Sequence, residues 1–130
     1  MKKDFIYIVV RDPEEEGERC LARIHATKLE NGIYIHKSCY TELVKDSEES
    51  SHYILKESKP WVITDYRTGR EIVRGNTKQE AINNLEEKRI DYIACKNSDI
   101  YIRCLDEFKR LATKRIWEVE EWRPKEEVKE

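Results

Sequence analysis

A chain of 130 residues makes one domain around one core, and 40% of these residues are charged, where an ordinary soluble domain has about a quarter. The 25 basic and 27 acidic residues cancel to a net charge of −2, a balance that argues against a general nucleic-acid binder with its clear basic excess. Seven Tyr, three Trp and many Ile and Val argue equally against a disordered chain, and no run approaches the ~20 apolar residues that cross a bilayer.

Phe5-Ile6-Tyr7-Ile8-Val9-Val10 is apolar on both faces, as in a covered strand, and Arg11-Asp12-Pro13 cuts it too short for a secretory core. The chain is therefore expected in the cytoplasm, with its four cysteines reduced. An acidic loop follows over 12–18. From 20 to 27, Cys20, Ala22, Ile24 and Ala26 alternate against Leu21, Arg23 and His25, which predicts a second strand. Asn31-Gly32 is a strong turn signal and Ile33-Tyr34-Ile35-His36 a third strand, so the first third reads as a meander. Tyr40, Leu43 and Val44 suit a short helix, residues 46–51 a polar loop, and Tyr53-Ile54-Leu55 leans to strand.

The stretch 59–88 is the most informative. Trp61-Val62-Ile63-Thr64 and Glu71-Ile72-Val73-Arg74 are strand-forming runs joined at Thr68-Gly69, where the turn requires φ > 0 at the glycine. Gly75-Asn76 breaks the second strand, and Thr77 stands three before Glu80, the pairing that closes a helix's first turn. Ala81, Ile82, Leu85 and Arg89 then share one face, giving a ββα unit with one apolar side. Residues 90–95 fit either a continuing helix or a strand.

Ser98 is a fair N-cap for a last helix carrying Tyr101, Cys104, Leu105, Phe108, Leu111, Ala112, Ile116 and Val119 at spacings of three and four. If it runs over 99–122 it is about 36 Å long. Arg123-Pro124 ends it, leaving one domain over 1–123 and a charged, disordered tail over 124–130. On this wheel Trp117 falls opposite the core stripe with Arg103, Arg110, Lys114 and Glu121. An exposed Trp among arginines has the composition of an interface hot spot, so these five residues are the expected partner-binding face, with Trp117 exposed.

Three chemistries can be weighed. His36-Lys-Ser-Cys39 is the only close metal-type spacing, so a structural zinc would take His36 and Cys39 with Cys20 or Cys95; the competing reading is core cysteines, surface histidines and no cofactor. Tyr66, Arg67, Arg70, Arg74 and Lys78 gather around the hairpin, where an aromatic could stack on a base while cations take phosphates. No nucleophile turn, phosphate-loop pattern or recognisable Ser–His or Cys–His pairing points to catalysis. Acidic runs over 12–18, 46–49 and 118–121 can instead steer association with a basic protein.

The segment Gly75-Asn-Thr-Lys-Gln-Glu80-Ala81-Ile-Asn-Asn resembles the G-x-T-x-x-E-A segment of HicB-type antitoxins, in which it links a strand to a helix in a small toxin-neutralising domain. The proline-containing stretch that precedes that glycine in the family is absent, and no attached DNA-binding motif accompanies it. The resemblance implies a small regulator that blocks another protein.

The expected architecture is α+β: an antiparallel sheet of five or six strands, with the ββα unit and the long C-terminal helix packed on one face. The expected function is non-catalytic: an inhibitor or regulator that binds a protein partner, such as a basic nucleic-acid-binding enzyme, in the manner of the antitoxin-like or anti-CRISPR antagonists that phages and mobile elements direct at host nucleases. The final helix leaves a second surface for self-association. The alternative is a nucleic-acid-binding module built on the Arg67/Arg70/Arg74 hairpin.

Overall fold

The computed structural model describes residues 3–118. Val119, Glu121, Trp122 and the expected tail over 124–130 lie outside the described residues. The fold is α+β, with a curled sheet and two helices. Five antiparallel strands follow in chain order, β1 (Lys3–Arg11), β2 (Arg19–Glu30), β3 (Ile33–Lys45), β4 (Ser51–Asp65) and β5 (Arg70–Gly75). They are followed by α1 (Lys78–Lys96), α2 (Asp99–Leu111) and a short β6 (Ile116–Glu118).

Each of β1–β5 is paired with its neighbour in sequence, so pairing there is local and the turns carry the register. Asn31-Gly32 turns with Gly32 at φ 81° and Gly69 turns at φ 69°, both where the sequence calls for a left-handed residue. The sheet curls until its first strand meets its last hairpin: the Val9 amide donates to the Gly69 carbonyl at 2.9 Å. A Cβ on Gly69 would stand 2.8 Å from the Tyr7 carbonyl oxygen and 3.1 Å from the Phe108 ring, so only glycine permits this closure.

Alternation gives the sheet two cores. On the inner face Ile6, Ile8, Cys20, Ala22, Ile24 and Ala26 pack with Leu55 and Trp117. The register Ile6↔Ile24 and Ile8↔Ala22 places these side chains opposite one another. On the outer face Ile33, Ile35, Ile63 and Val73 pack against Ala81 and Leu85 of α1. This helix starts where expected: Thr77 Oγ1 accepts the Glu80 amide at 3.0 Å, and Glu80 reaches back to accept the Asn76 amide at 2.7 Å. It continues through residues 90–95 to Lys96, which settles the ambiguity there in favour of helix.

Two expectations are corrected. Residues 40–44 are not helical: β3 runs on to Lys45, pairing Ser38–Lys45 with Ser51–Ser58 as an arm eight residues long, about 27 Å. Tyr40, Leu43 and Val44 have helical spacing, but a strand of matching length is available across a five-residue turn, and that partner decides. The last helix is also shorter than expected. It ends at Leu111, the turn after it is closed by Thr113 Oγ1 donating to the Arg110 carbonyl, and β6 joins β2 in parallel with Ala22↔Trp117.

The early end of α2 has its cause in the sheet. β3 pairs with β2 only as far as Thr27↔Ile35, while β1 covers the opposite edge of β2 from Arg19 to Thr27. Leu21–Arg23 are thus left with an unpaired edge on the β3 side, and β6 takes it. Trp117 fills the wedge between β2 and the arm, edge-on to Tyr53 at 6.3 Å between ring centroids.

Candidate functional site

The outer face carries a cleft of about 310 Å³ between β5 and the two helices, bordered by Ile72, Lys88, Tyr92, Cys95, Tyr101 and Cys104. Its floor is Asp65, the one buried carboxylate among the described residues, at 4% exposure. Four donors converge on it. The Thr68 amide and hydroxyl donate to Oδ2 at 3.0 and 2.8 Å, Tyr101 donates to the same oxygen at 2.9 Å, and Tyr92 donates to Oδ1. One side chain at the end of β4 thereby ties the hairpin turn to both helices. Burial, and then donation to Asp65, pushes the Tyr101 hydroxyl up to about 12 and Tyr92 well above the ordinary tyrosine value, so both remain protonated donors. The D-x-x-T spacing of Asp65 and Thr68 is visible in the sequence as a turn signal; the two tyrosines give none.

Beside the cleft, Glu107 on α2 accepts from Arg70 and from Arg19 at 3.2 Å, with Arg110 at 3.8 Å. Burial alone would raise its carboxyl, but hydrogen bonds and charge from Arg70 and Arg19 outweigh it and hold the group below the usual carboxylate range. Arg74 is likewise held, in a two-pronged pair with Glu71 at 2.9 and 2.7 Å. The hairpin cluster expected to bind nucleic acid is thus largely neutralised: Arg70 and Arg74 are paired, Arg67 lies 6.0 Å over Tyr101, and Tyr66, 47% exposed, leans on Tyr34. Lys78 does not join the other four; it stands 4.8 Å over Trp61.

The expected metal set does not assemble. His36 is buried, with Nδ1 donating to the Lys37 carbonyl at 2.8 Å and Nε2 therefore free to accept from the Thr64 hydroxyl at 2.7 Å. Burial lowers its pKa, against smaller opposing effects of the Lys37 carbonyl and Glu71, so the ring is neutral and both nitrogens are engaged. Burial raises the thiols of Cys20 to about 12 and of Cys39 to about 11, and Cys95 borders the cleft on the opposite face of the sheet. Among the described residues no three His, Cys, Asp or Glu side chains gather to hold a metal ion.

The expected partner face is also corrected in its central residue. Trp117 is 0% exposed, because it belongs to β6 and the inner core rather than to a helix surface. Arg103 and Arg110 are exposed on α2, Lys114 is exposed in the turn beyond it, and Glu121 lies outside the described residues.

The acidic runs take a definite place. In a meander the β1–β2 and β3–β4 connections fall at the same end, so residues 12–18 and 46–50 mark one acidic end of the sheet. Glu14 pairs with Arg115 and Asp46 with His52. Glu15, Glu16, Glu18, Glu48 and Glu49 are exposed and take part in no ion pair among the described residues. Tyr40 and Leu43 are exposed on the arm that carries the second of these turns.

No helix among the described residues is long and apolar enough to cross a membrane. No family model matches the chain, and no curated protein or solved structure shows a significant match. The likeness to HicB-type antitoxins accordingly stands on the segment 75–84 alone.

Proposed function

We propose that the chain is a non-catalytic regulator that binds a basic protein partner through the acidic end of its sheet, with nucleic-acid-binding enzymes as the partner class whose surface carries the complementary charge. The observation that carries this reading is the five exposed glutamates on two turns at one end, in no ion pair among the described residues, while Arg70 and Arg74 of the hairpin are engaged by Glu107 and Glu71. Uncompensated charge sets long-range steering, and an arm bearing exposed Tyr40 and Leu43 supplies apolar contact once the partner has arrived. The non-catalytic part of the reading is supported by the cleft, where the buried carboxylate is occupied by four donors that hold the fold together.

The test compares capture from lysate, by quantitative mass spectrometry, for the parent and for a variant with Glu15, Glu16, Glu48 and Glu49 all changed to Lys. The reading requires a basic protein enriched by the parent, released by salt, and lost with the variant although its circular dichroism and melting are unchanged. The same captured set for both proteins refutes it.

A further inference from the structure

A second surface, away from the acidic end, has the opposite character. Trp61 lies at the start of the second half of β4, paired across the sheet with Lys37 on one side and Gly75 on the other. Gly75 has no side chain, and this lets the first turn of α1 settle onto the sheet: a Cβ there would stand 2.4 Å from the Ala81 nitrogen. The close approach carries Lys78, the first residue of α1, to 4.8 Å from the Trp61 ring centroid, while Lys37 stands 5.7 Å from it. The indole is half-buried, its inner edge on the outer-face core, and both lysines are exposed. Neither has a carboxylate partner among the described residues. Lys59, exposed in the irregular stretch just before Trp61, adds a third such cation. The positive end of the α1 dipole points the same way, and the neighbouring Arg74 is already balanced by Glu71.

We propose that Trp61, Lys37 and Lys78 form a binding surface for single-stranded nucleic acid. Three ligand chemistries can be compared at this patch. A cationic group, which an isolated indole would attract, is repelled by two ammonium groups already at the ring. An acidic peptide would satisfy the lysines but leave the indole without a use. A nucleotide uses both, its base stacking on the exposed part of the indole and its phosphates meeting the lysines, and a strand of several nucleotides reaches Lys59 as well. The patch stands independently of the protein-partner reading, since it shares no residue with the acidic end. It also differs from the Arg67/Arg70/Arg74 surface, where Arg70 and Arg74 are already paired with Glu107 and Glu71.

The experiment is fluorescence anisotropy with labelled single strands of about 12 nucleotides, a length within the site size of one small domain, at low and at physiological salt. Duplex DNA and free nucleoside monophosphate serve as separate arms. The parent is expected to bind RNA or DNA single strands more tightly than either control, with affinity falling as salt rises. Trp61→Ala should weaken binding about tenfold, as for loss of one stacked base, and Lys37→Glu and Lys78→Glu should each weaken it and flatten the salt dependence. Trp61→Phe guards against a folding defect, since it keeps a stacking ring and should retain most of the affinity. Arg67→Glu, outside the patch, should change affinity less than twofold. The proposal is overturned by absence of binding at low salt, by equal affinity for duplex, or by Lys37→Glu and Lys78→Glu variants that melt and bind like the parent.

Discussion

Replacing Asp65 by Ala tests whether one carboxylate holds the hairpin and the helices in register. The substitution removes an acceptor from two tyrosine hydroxyls, a threonine hydroxyl and a backbone amide at once. A hydrogen bond to a carboxylate contributes about 1.5–3 kcal/mol, and a buried donor left without an acceptor costs about 1–3 kcal/mol. These values do not add, because the four donors act as a unit and the half-exposed Tyr92 can turn to water in the cleft. A loss of about 3–5 kcal/mol is expected, read from urea unfolding followed by circular dichroism. Tyr92→Phe and Tyr101→Phe should each cost about 1–2 kcal/mol in the parent and close to nothing in the Asp65→Ala background, since their partner is already gone. An Asp65→Ala variant within 1 kcal/mol of the parent, or tyrosine effects equal in both backgrounds, would show that the helices are held by apolar packing alone.

Three further outcomes are expected. Gly69→Ala should destabilise by about 2–4 kcal/mol, more than left-handed strain alone, because the new methyl meets the Tyr7 carbonyl and the Phe108 ring; a melting temperature equal to the parent's refutes the closure of β1 on the hairpin. Trp117→Ala should cost about 3–5 kcal/mol by emptying the wedge between β2 and the arm, and an unchanged urea midpoint would place Trp117 outside the core. His36 is held neutral by burial, so the unfolded chain takes up its proton first as pH falls through about 6.5; stability should decline from there downward, and His36→Gln should remove that slope between pH 7 and 5 in urea midpoints while leaving any acid loss from carboxylates such as Glu107 at lower pH.

The strands were legible where a single residue type forced the geometry. Alternation of Cys20, Ala22, Ile24 and Ala26 specified the inner face of β2, and Asn31-Gly32, Gly69 and the Thr77–Glu80 pair specified two turns and a helix start, all through local backbone chemistry. The end of α2 was not legible for the same reason. Residues 112–115 contain no glycine or proline, and the stripe through Leu111, Ala112 and Ile116 continues at helical spacing, so nothing local stops the helix. What stops it is the vacant edge of Leu21–Arg23, which β-branched and aromatic Ile116-Trp117 can pair with and fill. The arm follows the same logic, since the strand that makes residues 38–45 a strand lies across the turn.

Charge was legible in amount but not in effect. The runs over 12–18 and around 67–78 stood in the sequence as a leading candidate and its alternative of opposite sign, yet Glu107 reaches arginines 37 and 88 positions away, and a one-dimensional count cannot cancel charges over that separation. Whatever these pairs contribute to stability, about 1 kcal/mol at most for the exposed Arg74–Glu71 pair, their larger consequence is electrostatic: they remove Arg70 and Arg74 from the field that a ligand senses. Only charges left over after this cancellation can recruit a partner. Among them are the glutamates of the two turns and the lysines around Trp61, which lie on separate surfaces. Taken together, the two proposals describe a protein that would meet two chemically opposite surfaces at once, as an enzyme already holding a nucleic acid strand would present. If so, a charge reversal at either surface should weaken binding to such a complex, while each should spare the contact that the other surface makes alone.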